Sequence, residues 1–197
     1  ISIGTLQIGN GGASGSLGWG DVTNNGALVY NRSDDVTVTN HISGTGSFQQ
    51  AGSGKVTLTS DNTYSGGTTI SSGTLQIGDG GSTGSLGSGN VTNNGTLIFH
   101  REDAITIANL ISGSGNLQQL GSNTLTLTAN NTYTGTTTIG SNATIEVGNG
   151  STSGTLGGGA VFNDGALVFN RSDTLTVSNT SSGMGNLSLE SKPAQNQ

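Results

Sequence analysis

The chain has 197 residues, and glycine (36), threonine (29), serine (26) and asparagine (21) supply more than half of them. Leucine, isoleucine, valine and phenylalanine make up only about a fifth, while charged residues are 8% and the net charge is −6, a balance that argues against a disordered polyelectrolyte and against a globule with one thick core. With no cysteine, one proline, and five Lys+Arg against eleven Asp+Glu, the chain is not a disulfide scaffold, a thiol enzyme, a collagen or a basic nucleic-acid binder.

The first element in chain order is Gly4-Thr5-Leu6-Gln7-Ile8-Gly9, a short alternating strand that returns as Gly73-Thr74-Leu75-Gln76-Ile77-Gly78 and, degraded, as Ala143-Thr144-Ile145-Glu146-Val147-Gly148. Leu17-Gly18, Asn25-Gly26-Ala27-Leu28 and Arg32 recur in the same register. Their counterparts are Leu86-Gly87 and Leu156-Gly157, Asn94-Gly95-Thr96-Leu97 and Asp164-Gly165-Ala166-Leu167, and Arg101 and Arg171. The repeat units are therefore about 4–72, 73–142 and a shorter 143–187. From 188 to 197 the pattern breaks, and the single proline, Pro193, lies in this stretch, which reads as a linker or boundary. Apolar runs reach only about four residues, as in Ala27-Leu28-Val29-Tyr30, far short of the roughly 20 that a spanning helix needs, so no direct membrane insertion is expected. No signal segment precedes Ile1, as in a mature or excised chain.

Within each unit apolar residues alternate over very short runs such as Val36-Thr37-Val38, Val56-Thr57-Leu58 and Leu75-Gln76-Ile77, which is the period of a strand. No longer segment carries a helical rhythm. Val38, Leu58 and Ile77 lie about 20 residues apart, as do Leu28, Phe48 and Ile70. This spacing predicts an all-β, right-handed parallel β-helix with about three short strands per turn, like side chains stacked on like, and one unit making roughly three turns. Glycine and asparagine are expected at the corners, where both tolerate positive φ and the asparagine amide can also stack into hydrogen-bonded ladders. Antiparallel hairpins in a sandwich are the competing arrangement, since Asn25-Gly26 and Asn94-Gly95 suit two-residue turns.

The run Asn62-Thr63-Tyr64-Ser65-Gly66-Gly67-Thr68-Thr69-Ile70, followed by Gly73-Thr74-Leu75-Gln76-Ile77-Gly78, resembles the passenger-associated strand repeat of Gram-negative autotransporters. Asn131-Thr132-Tyr133-Thr134-Gly135-Thr136-Thr137-Thr138-Ile139 is a second match. The resemblance implies a right-handed β-helix passenger at the bacterial cell surface or released from it, exported across the outer membrane and commonly an adhesin or aggregation factor. The chain shows no C-terminal membrane barrel and no recognisable protease or lipase domain, so a stalk that carries a separate functional domain is the alternative role.

Tests for chemistry mostly fail. Gly80-Gly81-Ser82-Thr83-Gly84 fits the nucleophile-elbow pattern without a following helix, and Val56 stands where a phosphate loop needs Ser or Thr after Gly54-Lys55. His41 and His100 do not recur between units, and Gly78-Asp79-Gly80-Gly81 offers a single carboxylate for calcium. No catalytic, cofactor-binding or metal residue is assigned, and a polysaccharide-cleaving β-helix enzyme is the remote third reading. Arg32 with Asp34, Arg101 with Asp103 and Arg171 with Asp173 read as a repeated exposed turn with a local ion pair. Together with Trp19, which suits either sugar stacking or a packing contact, they are the candidate surface-contact residues. A wall of hydroxyls and amides with few charges suits another copy of the chain, laterally or end to end, or cell-surface and matrix glycans and proteins.

Overall fold

The computed structural model describes residues 1–190, which form twenty-one strands and, among the described residues, no helix. Every ladder is parallel, and each strand pairs with strands about 20 residues away rather than with its chain neighbours. The result is an all-β parallel β-solenoid, consistent with the right-handed coil that parallel crossovers adopt. The antiparallel sandwich is thereby excluded.

Three faces form the rod. The first carries six strands from Thr5–Ile8 to Ile111–Ser112, and the second carries eight from Val36–Val38 to Ser181–Ser182. The third carries Val22–Thr23 with Ile42–Ser43 and, further along, five strands from Ile105–Ile107 to Asn186–Glu190. Because side chains alternate across each strand, every second residue enters the narrow interior. On the second face Val36, Val56, Leu75, Leu97 and Leu117 form one inward column, and Val38, Leu58, Ile77 and Phe99 form another. All but Val36 of these are nearly or fully buried. Each fully buried aliphatic side chain contributes about 1.5–3 kcal/mol.

Val38, Leu58 and Ile77 stack as their spacing predicts, and so do Leu28 and Phe48. Ile70 does not continue the latter column. Thr68 lies beside Phe48, and Ile70 lies beside Gln50. The substitution works because Thr68 hides its hydroxyl against the Tyr64 hydroxyl at 2.8 Å, while the Tyr64 ring stacks 6.1 Å from that of Phe48. Buried Gln50 donates from Nε2 to the carbonyls of Gly52 and Gly54, leaving its Oε1 without a partner, and Gln119 repeats the arrangement one unit later.

The unit is longer than three turns. Beginning at Leu6, three turns pass through Leu28 and Phe48 and end at Thr68, before the second copy of the repeat has begun at Gly73. The strand Thr5–Ile8 is on the first face, its counterpart Thr74–Ile77 on the second and Thr144–Ser151 on the third. Likewise Val36–Val38 is on the second face and its counterpart Ile105–Ile107 on the third. Each unit thus makes three turns and a third. The expectation of about three turns rounds this remainder away, since a 69-residue unit at about 20 residues per turn holds more than three; the turns themselves range from a short one, Lys55 to Thr74, to a long one, Thr137 to Val161.

At the corners one of the two roles expected of asparagine is used. Among the described residues positive φ is confined to glycine, and no asparagine adopts it. Asparagine works instead through its amide: Asn24, Asn93 and Asn163 each accept from the glycine two residues on and donate to a carbonyl of the following turn, Ser47, Asn116 and Asn186. Buried backbone groups at the corners are thereby satisfied, as a solvent-excluded bend requires. At the far end the strand Asn186–Glu190 pairs with Ala166–Arg171, so strand pairing passes the expected break at 188 and reaches Glu190. The rest of the expected tail, 191–197, lies outside the described residues.

Candidate functional site

The three arginines are pins between turns. Arg101 donates from Nε and Nη2 to the two carboxylate oxygens of Asp103, both at 2.8 Å, and from Nη1 and Nη2 to the carbonyls of Gly84 and Ser82 at 2.5 and 2.6 Å. Asp61 stands 3.4 Å from Nη1. Arg171 repeats the pattern with Asp173, Gly154 and Thr152, and Arg32 with Asp34, Gly15 and Ala13. The guanidinium side chains are only 9–13% exposed. The sequence therefore identifies the ion pairs but not the carbonyl contacts, which turn an exposed pair into a fastening for the loops at 9–15, 78–84 and 148–154. Bidentate bonding from arginine holds the carboxyls of Asp34, Asp103 and Asp173 below the usual carboxylate range.

Glycine shapes these loops. At Gly78, with φ of +79°, an added Cβ would meet the Arg101 side chain and the His100 carbonyl, so a side chain would both strain the backbone and displace the pin.

Just beyond each pin the ladder opens. The Glu102 amide donates to Gly81 and the Val91 amide to Leu110, but no backbone hydrogen bond joins residues 84–88 to 104–108. The opening is a cleft of about 660 Å³, lined by Asn62, Ser85, Leu86, Ile105 and Thr106 among others. Arg101 closes one end, and Asn109 closes the other by donating to the carbonyls of Gly87 and Gly89 at 2.8 and 2.6 Å. The third unit has the same cleft, about 390 Å³, lined by Asn131, Thr155, Leu156, Leu175 and Thr176, with Asn179 on Gly157 and Gly159. In the first unit Asn40 holds Gly18 and Gly20 in the same way, and between them stands Trp19, fully exposed and so in no packing contact. The asparagine latches are not among the candidate residues read from the sequence, although the recurrence of Asn40, Asn109 and Asn179 at the unit offsets is a signal that could have found them.

The candidate surface residues do not form one patch. Because a unit advances by a third of a turn, Arg32-Asp34, Arg101-Asp103 and Arg171-Asp173 stand on three different edges of the rod. Their separation is thus not a simple stack of equivalent carboxylates along one line. The Ser82 hydroxyl bonds to no histidine, and its carbonyl serves Arg101. His41 donates from Nδ1 to the Asp61 carbonyl at 2.6 Å, with the Thr63 hydroxyl 3.3 Å from Nε2. No group of three or more His, Asp or Glu among the described residues is placed to hold a metal ion.

The repeat signature now has a physical meaning. The Asn62 Oδ1 accepts from the Ile42 amide and its Nδ2 donates to Ser60 and Ser85; Tyr64, Thr68 and Ile70 point inward; and a Cβ at Gly66 would collide with the Gly46 carbonyl. The family model of the Passenger-associated-transport-repeat matches residues 48–77 and 117–147, the two stretches containing this signature. The Adhesin BmaC autotransporter of Brucella suis biovar 1 (strain 1330) is 40% identical over 196 residues, an alignment that takes in 89% of this chain. This chain is a β-solenoid repeat protein distantly related to an autotransporter adhesin. It spans only 6% of that relative's length. No solved structure matches it.

Proposed function

We propose that this chain is a non-enzymatic part of an autotransporter passenger at the bacterial surface, acting in adhesion or self-association. The observation that carries this reading is the outer wall, where uncharged polar side chains predominate on parallel strands, as in the second-face column Thr37, Thr57, Gln76, Gln118, Thr138 and Ser182, interrupted by Ile98 and Phe162, in a chain related to an adhesin. Such a wall offers hydrogen-bond donors and acceptors at a fixed spacing without the charge that would keep partners apart. Sedimentation velocity over a concentration series tests the self-associating form, comparing the chain with a variant carrying Leu6→Glu, Leu187→Glu and Leu189→Glu on the two end turns. Association that persists places the contact on the lateral wall. A monomeric variant that also fails to bind host cells or matrix overturns the adhesive reading.

A passive stalk is the second reading. It is supported by the unbroken second face of eight strands and by the arginine pins, which make a stiff spacer irrespective of what the wall contacts.

A further inference from the structure

The adhesive reading leaves open what the wall would recognise, and the repeated clefts narrow the choice. In an ideal parallel coil each turn pairs with the next along all three faces. Here the pairing is interrupted at the same place in every unit, leaving backbone groups of the strand Ile105–Ile107 unpaired along the edge toward the cleft. Such groups must bond to water or to something that replaces it. Because the sequence repeats, the interruption returns in each unit with the same asparagine latch and the same arginine pin, so the rod carries the opening at regular intervals.

The lining specifies a class of ligand. Exposed Ser88 and Thr106 in one cleft, and exposed Thr132, Thr134 and Thr176 in the other, surround a small aliphatic floor made by Leu86 with Ile105 and by Leu156 with Leu175, while Asn62, Ser85, Asn131 and Thr155 are spent on bonds within the rod. Exposed hydroxyls around a short apolar patch match a molecule with hydroxyls on its rim and C–H groups on its face. The charged groups at the second-unit cleft are tied to one another: the Arg101 guanidinium is engaged by Asp103, Ser82 and Gly84, and Asp61, though its side chain is exposed, accepts from the Gly84 amide and stands 3.4 Å from Arg101. Both cavities fall within the range of about 300–1,000 Å³ typical of small-ligand sites. An extended peptide adding to the Ile105–Ile107 edge would have to run out through both ends, where the Arg101 pin and the Asn109 latch stand. A second rod is also a poor fit, since equivalent clefts face different directions and return to one face only every third unit.

We infer that the clefts at 84–88/104–109 and 154–158/174–179 are subsites for neutral saccharide units, repeated along the rod as a screw. One lies about 16 Å further along the axis than the other, at roughly 4.8 Å per turn, and a third of a turn around it. In the first unit Trp19, between the two latched carbonyls, is placed to add an aromatic plate on which a sugar ring stacks. This assignment rests on the adhesive reading and names the ligand class and its site.

The test is an amide chemical-shift titration of the whole chain with four neutral probes, maltotriose, cellotriose, chitotriose and mannotriose, and with a blocked Thr-Val-Thr-Val-Thr peptide as the competing occupant. At least one saccharide should shift amides of 85–88 and 106–109 together with those of 155–158 and 176–179. Ala108→Trp, which fills the second-unit cleft from an exposed position, should weaken the first set at least tenfold and leave the second unchanged, the intact third-unit cleft serving as the check that the rod is folded. No response to any saccharide, a response to the peptide alone, or shifts indifferent to Ala108→Trp would each overturn the inference. Cell binding that survives Ala108→Trp combined with Ser178→Trp would overturn it while leaving the adhesive reading standing.

Discussion

Phe48, Leu117 and Leu187 occupy the same place in three successive units, yet Leu117 is 0% exposed and Leu187 is 65% exposed. The two leucines are alike and both lie on paired strands, Asn116–Gln119 and Asn186–Glu190. Their surroundings differ: Leu117 is covered by turns on both sides, whereas no described turn stacks on the outer side of the strand that holds Leu187. Burial in this molecule belongs to the neighbouring turn more than to the residue. A single turn has almost no core of its own, as in other stacked repeats.

The sharpest way to break this comparison is charge. Leu117→Asp should destabilise the rod by more than about 4 kcal/mol in urea unfolding, because the carboxylate has no partner inside. Arg101→Ala should cost roughly 2 kcal/mol by releasing its carbonyl and carboxylate bonds, and limited proteolysis should then cut within 79–84 first. Tyr133→Phe removes the 2.7 Å bond to the Thr137 hydroxyl in a fully buried site, and about 1 kcal/mol should be lost without a change in the denaturant slope. Asp103→Asn should act through pH. Its carboxyl is held low in the folded chain, so the wild-type contribution is complete above the unfolded value of about 3.9 and fades as pH falls through the lower folded value. Wild type and Asp103→Asn should therefore differ at neutral pH and converge in strong acid, which acid-unfolding curves will show. Leu187→Asp comes last, within about 0.5 kcal/mol. Equal losses for Leu117→Asp and Leu187→Asp would refute the neighbour-turn account.

Much of this architecture is legible in the residues, for reasons that also explain the failures. Strand positions follow from alternation, and the columns Val38, Leu58, Ile77 and Leu28, Phe48 follow from spacing. Spacing alone misplaces Ile70 beside Phe48 because it treats side chains as interchangeable, and nothing local reveals that Thr68 finds its hydroxyl partner in Tyr64. The turn count comes out low because 69 residues at about 20 per turn leave a remainder that rounding to three discards, and longer turns such as the one holding 78–85 only trim that remainder to a third. At the site, Arg101 and Asp103 are recognisable as a pair two residues apart, but the Ser82 and Gly84 carbonyls lie 19 and 17 residues back and are invisible before folding. Of the two roles that asparagine's residue type permits at the corners, a left-handed backbone and an amide that bonds between turns, only the amide is used.

The extra third of a turn in each unit makes the number of units a directional variable. Deleting one unit from a longer rod of this kind would shorten it by about 16 Å and also swing everything beyond the deletion through a third of a revolution. Removing three units would restore the original heading at a cost in reach alone. Gain or loss of single copies by recombination would therefore re-aim whatever lies beyond them, while every local contact within the remaining units stays as it was.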